Sequence, residues 1–200
     1  MDYGSGNIRS IHNGFKKIGA DTVVSSDKKT IADADAIILP GVGAFGAVMN
    51  NLIEYKDIVL DHIADDKPLL GICLGLHMLF SESEETENIE GLNIFKGSVK
   101  RFDLPADYKI PHMGWNQIRV NDTESNNCEL LRGCDDKYMY FVHSYYIDPE
   151  DKDLITAYTN YGHDVPVAIG RGNVHALQFH PEKSGANGLE ILRRFVNLIE

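Results

Sequence analysis

Pro68-Leu69-Leu70-Gly71-Ile72-Cys73-Leu74-Gly75 is the stretch on which the fold of this chain turns. An apolar run over 68–72, opened by a proline, reads as a short buried strand. It leads straight into Gly71-Ile72-Cys73-Leu74-Gly75, a glycine-x-nucleophile-x-glycine pattern, and residues 74–80 then predict a helix. A strand, a sharp turn and a helix in succession lift the side chain at the turn above the end of a sheet. A lone cysteine is more often a small buried apolar residue, but this setting reverses the odds for Cys73. The free N–H groups and dipole at the start of the following helix would stabilise a thiolate there.

The alternation of strand and helix extends outward from this elbow. Ile8, Ile11, Phe15 and Ile18 recur at helical spacing and Gly19 stops them, so residues 7–18 predict an amphipathic helix. A strand is expected over 21–25 and a buried one over 36–39, followed by the glycine loop Pro40-Gly41-Val42-Gly43 and a helix over 45–64. Strands alternating with helices argue for a mostly parallel sheet covered on both faces. After Gly91 the texture becomes β-rich, with runs over 97–102, 116–120, 138–142, 154–158, 165–170 and 174–179, before Leu189, Leu192, Val196 and Ile199 mark a last helix. A doubly wound fold also requires a buried strand ahead of Asp2-Tyr3-Gly4-Ser5-Gly6-Asn7, and without it one place in the sheet is unpaired. The expectation is one domain over 1–200, of three α/β/α layers with an added β-rich portion.

Composition narrows the partners. The 200 residues carry 30 acidic and 19 basic side chains, a formal net charge of −11, which disfavours nucleic acid and anionic lipid as partners. No apolar run approaches the roughly 20 residues that cross a bilayer, and the start lacks a basic and hydrophobic leader pattern, so a cytoplasmic protein is expected. Cys73, Cys128 and Cys134 form no C-x-x-C pair, which suggests neither a disulfide framework nor a zinc knuckle. Cys128 and Cys134, with no histidine nearby in sequence, read as structural.

A thiolate nucleophile needs a proton carrier and a group that fixes the carrier's tautomer. Gln178-Phe179-His180-Pro181-Glu182 offers both, with the carboxylate turning back to the imidazole across the proline if the segment is extended. Each residue alone has a commoner role, His180 as a cap or surface histidine and Glu182 as a carboxylate opening a helix. The oxyanion formed on attack needs N–H donors, and the Leu74 amide and the loop from Pro40 to Gly43 are the candidates.

With these motifs in hand, the chain resembles the class I, triad-type glutamine amidotransferases. Pro111-His112-Met113-Gly114-Trp115-Asn116, Tyr140-Phe141-Val142-His143-Ser144-Tyr145 and His180-Pro181-Glu182-Lys183-Ser184 make it similar, nearly end to end, to those that serve imidazole glycerol phosphate synthase. The resemblance implies a flavodoxin-like three-layer fold and a heterodimer of histidine biosynthesis, in which this chain releases ammonia from glutamine and a β/α-barrel cyclase consumes it. Neither cofactor nor metal is implied. Cys73 would form a γ-glutamyl thioester, His180 would carry the protons and Glu182 would orient it, with Val42 and Leu74 as oxyanion donors. Gly41, Glu85, Ser144 and Tyr145 would hold the glutamine, and Asn7, Trp115 and Tyr140 would lie toward the cyclase.

One departure is His77, where the family's motif usually carries a glutamine that helps bind the substrate's α-carboxylate. A histidine can donate there, and a protonated one could pair with the carboxylate. Competing readings are an amidotransferase serving a sugar-aminating synthase, a catalytically idle regulatory subunit, and a cysteine peptidase or acyl hydrolase on the same elbow.

Overall fold

The computed structural model describes residues 1–4, 7–121 and 129–199. The first half runs α1 (Ile8–Lys17), α2 (Lys28–Ala32), β1 (Ile37–Gly41), α3 (Phe45–Leu52), α4 (Lys56–Ala64), β2 (Leu69–Cys73) and α5 (Leu74–His77). Then come β3 (Glu82–Ser83), β4 (Gly97–Arg101), β5 (His112–Gln117), β6 (Arg119–Val120), β7 (Tyr138–His143) and β8 (Tyr145–Pro149). The chain closes with β9 (Ile155–Asn160), β10 (Asp164–Arg171), β11 (Val174–Leu177) and α6 (Gly185–Asn197).

The central sheet has the order β1-β2-β11-β10-β9-β6. Its parallel part, β1-β2-β11, contains the elbow, and β10, β9 and β6 extend it as antiparallel strands. Side chains alternate across this sheet, as the period of two demands. Leu39 and Leu69 face Val48, Met49 and Leu52 of α3 and Val59 of α4. Leu70, Ile72 and Leu177 face Ile11 and Phe15 of α1 and Ile191, Leu192 and Phe195 of α6. Every residue of β2 is buried because helices cover both faces, which is why its sequence is a continuous apolar run. Phe15 meets Phe195 edge to face at 6.4 Å, and truncating either ring to alanine is worth about 3–5 kcal/mol of stability. The β-rich portion adds a three-stranded sheet, β3-β4-β8, and the ribbon β5-β7.

Four local expectations change. Residues 21–25 form no assigned strand; Ser25 O accepts the Asp2 amide at 2.8 Å. The helix over 45–64 breaks at a 3-10 turn, Ile53–Tyr55. The helix after the elbow is a single turn: beyond it the amides of Leu79 and Phe80 donate three residues back, to Leu76 O at 3.2 Å and His77 O at 3.1 Å, and the carbonyls of Met78 and Leu79 accept from the later loop at Leu92, Ile94 and Phe95. Its dipole at Cys73 is correspondingly small. The short α2 was not anticipated, although Asp27 caps it by accepting from the Thr30 amide at 2.8 Å. Among the described residues no helix is long and apolar enough to cross a membrane.

Candidate active site

Cys73 sits where β2 ends, with φ 57° and ψ −109°, a left-handed conformation that a β-carbon disfavours. Close packing holds it there. A β-carbon on Gly75 would lie 2.0 Å from Leu39 O, so only glycine lets the turn after Cys73 press onto β1. Gly41 is the register partner of Cys73, and a β-carbon on it would lie 2.6 Å from Leu74 Cβ. The loop of Gly41, Val42 and Gly43 is therefore held directly beside the elbow. Val42 is half-exposed, and Gly43 has φ 107°.

His180 follows β11 and is 2% exposed. Its amide donates to Tyr140 O at 3.0 Å, and Ser184 Oγ donates to its carbonyl at 2.7 Å while accepting from the Tyr140 amide at 3.0 Å. The link to Glu182 is made by a 3-10 turn, Pro181–Lys183, rather than by an extended segment. That turn brings Glu182 Oε1 to 2.9 Å from His180 Nδ1. Helices pack onto it from two sides: a β-carbon on Gly188 of α6 would lie 2.0 Å from Pro181 O, and one on Gly14 of α1 would lie 3.0 Å from Glu182 Cβ. His180 Nε2 is buried and makes no hydrogen bond among the described residues, with Cys73 beside it. Burial pulls the ring's pKa down, but Cys73 and Glu182 outweigh it and lift it to about 9. The ring is thus held as an imidazolium beside Cys73 and Glu182.

His77 lies in the core beside Gln178. It is 5% exposed, and its Nε2 lies 2.7 Å from Gln178 Oε1. Burial pushes its pKa down to about 4, against the pull of that bond, so at neutral pH it carries no charge with which to pair a carboxylate. A neutral ring that donates to Gln178 Oε1 turns the Gln178 amide nitrogen toward Cys73 Sγ, 3.9 Å away. Gln178, fully buried, was given no role in the sequence reading; a glutamine directly after the buried strand β11 and two residues before His180 was the available signal.

The remaining expected residues fall into two groups. Glu85 accepts from the Phe45 amide at 3.1 Å and Thr86 Oγ1 from the Gly46 amide at 3.2 Å, so both cap α3 behind the glycine loop. Burial raises the Glu85 pKa against that bond. Ser144 lies between β7 and β8, and its carbonyl accepts from Phe102 N at 3.1 Å. The Tyr145 carbonyl lies 2.8 Å from His143 Nδ1. That carbonyl can only accept, so His143 Nδ1 carries the proton and Nε2 accepts from His112 Nδ1 at 2.9 Å. Trp115 and Tyr140 are cross-strand partners, 6.1 Å apart and edge to face. Trp115 is 55% exposed, and Tyr140 carries Lys183 Nζ over its ring at 5.7 Å. Asn7 is the N-cap residue of α1, where its carbonyl accepts from the Ser10 amide but its side chain makes no cap. Cys134 is buried beside Arg194, with burial raising its pKa, and Cys128 lies outside the described residues. Among the described residues no group of three or more potential ligands is placed to hold a metal.

Known proteins match this chain throughout its length. The family model of class I glutamine amidotransferases matches residues 1–198. The imidazole glycerol phosphate synthase subunit HisH of Methanothermobacter thermautotrophicus is 51% identical over 199 residues, covering 100% of this chain and 97% of the relative. The subunit of the same description from Geobacillus thermodenitrificans is 43% identical, covering 100% and 94%. Among solved structures, a glutamine amidotransferase superposes with TM-score 0.75 at 21% identity, covering 98% and 95% of the two chains. PurLQS from Thermotoga maritima superposes with TM-score 0.71 at 17% identity, covering 100% and 96%, and both likenesses bear on the fold alone. From elbow to terminal helix, this chain belongs to the class I glutamine amidotransferase family.

Proposed function

We propose that this chain is the glutaminase subunit of an imidazole glycerol phosphate synthase, with Cys73, His180 and Glu182 as its catalytic residues. The observation that carries the chemistry is a buried imidazole held at Nδ1 by Glu182, with Nε2 uncommitted beside a cysteine on a strained elbow. Cys73 as thiolate attacks the side-chain carbonyl carbon of glutamine, and the carbonyl π electrons move to oxygen. Backbone N–H groups of Leu74 and Val42 receive that oxyanion once the loop from Gly41 to Gly43 presents them. His180 Nε2 gives its proton to the amide nitrogen, the C–N bond breaks, and ammonia leaves a γ-glutamyl thioester on Cys73. Neutral His180 then takes a proton from water as its oxygen attacks the thioester. Collapse of that adduct breaks the C–S bond, releasing glutamate and a thiolate beside the restored imidazolium. Glu182 keeps the ring in the orientation both steps need.

Gly41, Glu85, Ser144 and Tyr145 are placed in this reading around the glutamine, and His77 behind Gln178 rather than on the substrate. The full-length relatives support a partner subunit within imidazole glycerol phosphate synthase and favour it over a sugar-aminating partner. In this reading the partner is a β/α-barrel cyclase, the compartment is the cytoplasm, and the docking face includes Asn7, Trp115 and Tyr140. Tyr140 joins that face to the chemistry, since its backbone bonds both His180 and Ser184.

Glutamate release from glutamine, measured for the chain alone and then with the cyclase and its ribonucleotide ligand, tests both parts. Strong activation is expected, and Cys73→Ala should abolish release while leaving cyclase binding intact. No glutamate from a folded chain in the full mixture would sink the assignment.

A further inference from the structure

The ribbon β5-β7 has two unlike faces. Along β5 the side chains of Met113, Trp115 and Gln117 are exposed, whereas His112 is buried and Asn116 half-buried on the opposite face, as the alternation of a strand requires. Along β7, Phe141 and His143 are buried on that same inner face, and His143 is the register partner of His112. The outer face carries Trp115 and Tyr140, the docking residues of the proposed assembly. The inner face holds two histidines, 3% and 5% exposed.

Every ring nitrogen of this pair has a partner. His143 Nδ1 donates to Tyr145 O at 2.8 Å, so its Nε2 accepts from His112 Nδ1 at 2.9 Å. His112 Nε2 is left to accept, and Asn116 Nδ2 lies 3.3 Å from it while giving its other hydrogen to Asn160 O at 2.9 Å. The bonds therefore run one way, from Asn116 through His112 and His143 to the Tyr145 carbonyl. Both rings are neutral at pH 7, since burial lowers the pKa of His112 to about 4 and of His143 to about 3. Neutral rings have a single workable set of tautomers here, because reversing either one sets two lone pairs face to face. By contrast, His62, His175 and His180 each leave a buried ring nitrogen without a hydrogen bond among the described residues. Buried imidazoles cost more than apolar side chains unless they are fully bonded, and a fully bonded pair fixes one arrangement of what it touches.

What it touches is the bend at Ser144, where the chain leaves the ribbon for the sheet β3-β4-β8. Ser144 O accepts from Phe102 N at 3.1 Å and Tyr145 O from the His143 ring, so two successive carbonyls are tied down. His143 is near enough to His77 and His180 to feel their charge, which sets the bend beside the chemistry. The His112 ring also stacks on Tyr161 at 3.9 Å and on Phe141 at 4.9 Å, so its packing and its N–H are separable contributions.

We propose that His112 and His143 are positioning residues for the substrate: their one-way hydrogen-bond chain, from Asn116 to Tyr145 O, holds the bend at Ser144 in the shape that receives glutamine. This role rests on the glutaminase reading, in which Ser144 and Tyr145 hold the substrate. Neither histidine touches the reacting atoms.

Two variants separate donating from stacking. His112→Phe keeps a stacked ring and deletes the N–H, whereas His112→Asn gives up the ring and keeps an N–H near the place of Nδ1. Steady-state glutamate release is measured with the cyclase and its ribonucleotide ligand present. In His112→Phe the KM for glutamine should rise at least about tenfold with kcat within about threefold of native, and in His112→Asn the KM should stay within about threefold. Long-range proton–nitrogen NMR of the native chain at pH 7 should show both rings protonated at Nδ1. A native KM in His112→Phe, or a KM in His112→Asn raised as far as in His112→Phe, makes the rings space-filling only and overturns the proposal. A native His143 protonated at Nε2 overturns it whatever the kinetics. No glutamate from the native mixture sinks the glutaminase reading and this role with it, whereas native release with an unmoved KM in His112→Phe sinks this role alone.

Discussion

Replacing Glu182 by glutamine removes one negative charge from beside His180 and keeps the shape of the side chain. In the native chain burial pulls the ring down, and Cys73 and Glu182 together lift it to about 9. The gap from an ordinary 6.5 is worth on the order of 3 kcal/mol at 1.36 kcal/mol per pKa unit. A single opposite charge at hydrogen-bond distance supplies about one to three pKa units. The variant's imidazole should therefore titrate between roughly 6 and 8, and at pH 7 its protonated fraction falls from about 99% to between roughly 10% and 90%. Glutaminase turnover should fall by about 10- to 1,000-fold, the kinetic equivalent of the same energy. The assay is NMR titration of the His180 Cε1–H resonance, assigned with His180→Asn. Adding Cys73→Ala to Glu182→Gln leaves burial unopposed, so the doubly substituted chain should titrate below 6.5. A midpoint that moves by less than about half a pKa unit on Glu182→Gln refutes the claim that the carboxylate holds the imidazolium.

Further outcomes follow from the same geometry. Burial lowers the pKa values of His77, His112 and His175 to about 4 and of His143 to about 3. Groups depressed below their unfolded 6.5 contribute stability that is present above pH 6.5 and lost as pH falls toward 4. The urea midpoint should therefore drop sharply between pH 7.5 and 5; an unchanged midpoint would show that these rings are not buried neutral. His180 has the opposite sign: its contribution is complete below pH 6.5 and is lost as pH rises through about 9. Gly75→Ala sets a β-carbon 2.0 Å from Leu39 O and should cost at least about 3 kcal/mol, read from chemical denaturation; a stable, active alanine variant contradicts the packing described. His77→Leu frees the Gln178 amide to turn from Cys73, and alkylation of Cys73 by iodoacetamide at pH 7 should slow about tenfold. His77→Gln, which keeps a donor, should lose less, and equal rates for both variants would leave His77 a packing residue only.

The elbow, the apolar strands and the amphipathic helices were legible because each is written in local pattern. Gly71 to Gly75 signals a turn, β2 is apolar throughout because both its faces are covered, and α1 and α6 repeat their apolar residues at helical spacing. Where tertiary contacts compete with local preference, the pattern misleads. Residues 74–80 have helical character, yet after one turn the amides of Leu79 and Phe80 bond three residues back rather than four, and the carbonyls of Met78 and Leu79 turn to the loop at 92–95. Residues 21–25 have strand character, yet an assigned strand needs a full neighbour, and among the described residues their one backbone–backbone bond comes from Asp2.

Cys73, His180 and Glu182 could be singled out from sequence alone because residue type and spacing restrict what such groups can do. Their protonation depends on contacts between residues far apart in the chain. His180 becomes an imidazolium because folding brings Cys73, 107 positions earlier, beside Nε2 and wraps Pro181–Lys183 into a turn that aims Glu182 at Nδ1. His77 could have faced either substrate or core. Packing against Gln178 decided it, since a buried ring loses its charge and keeps only a hydrogen bond to give.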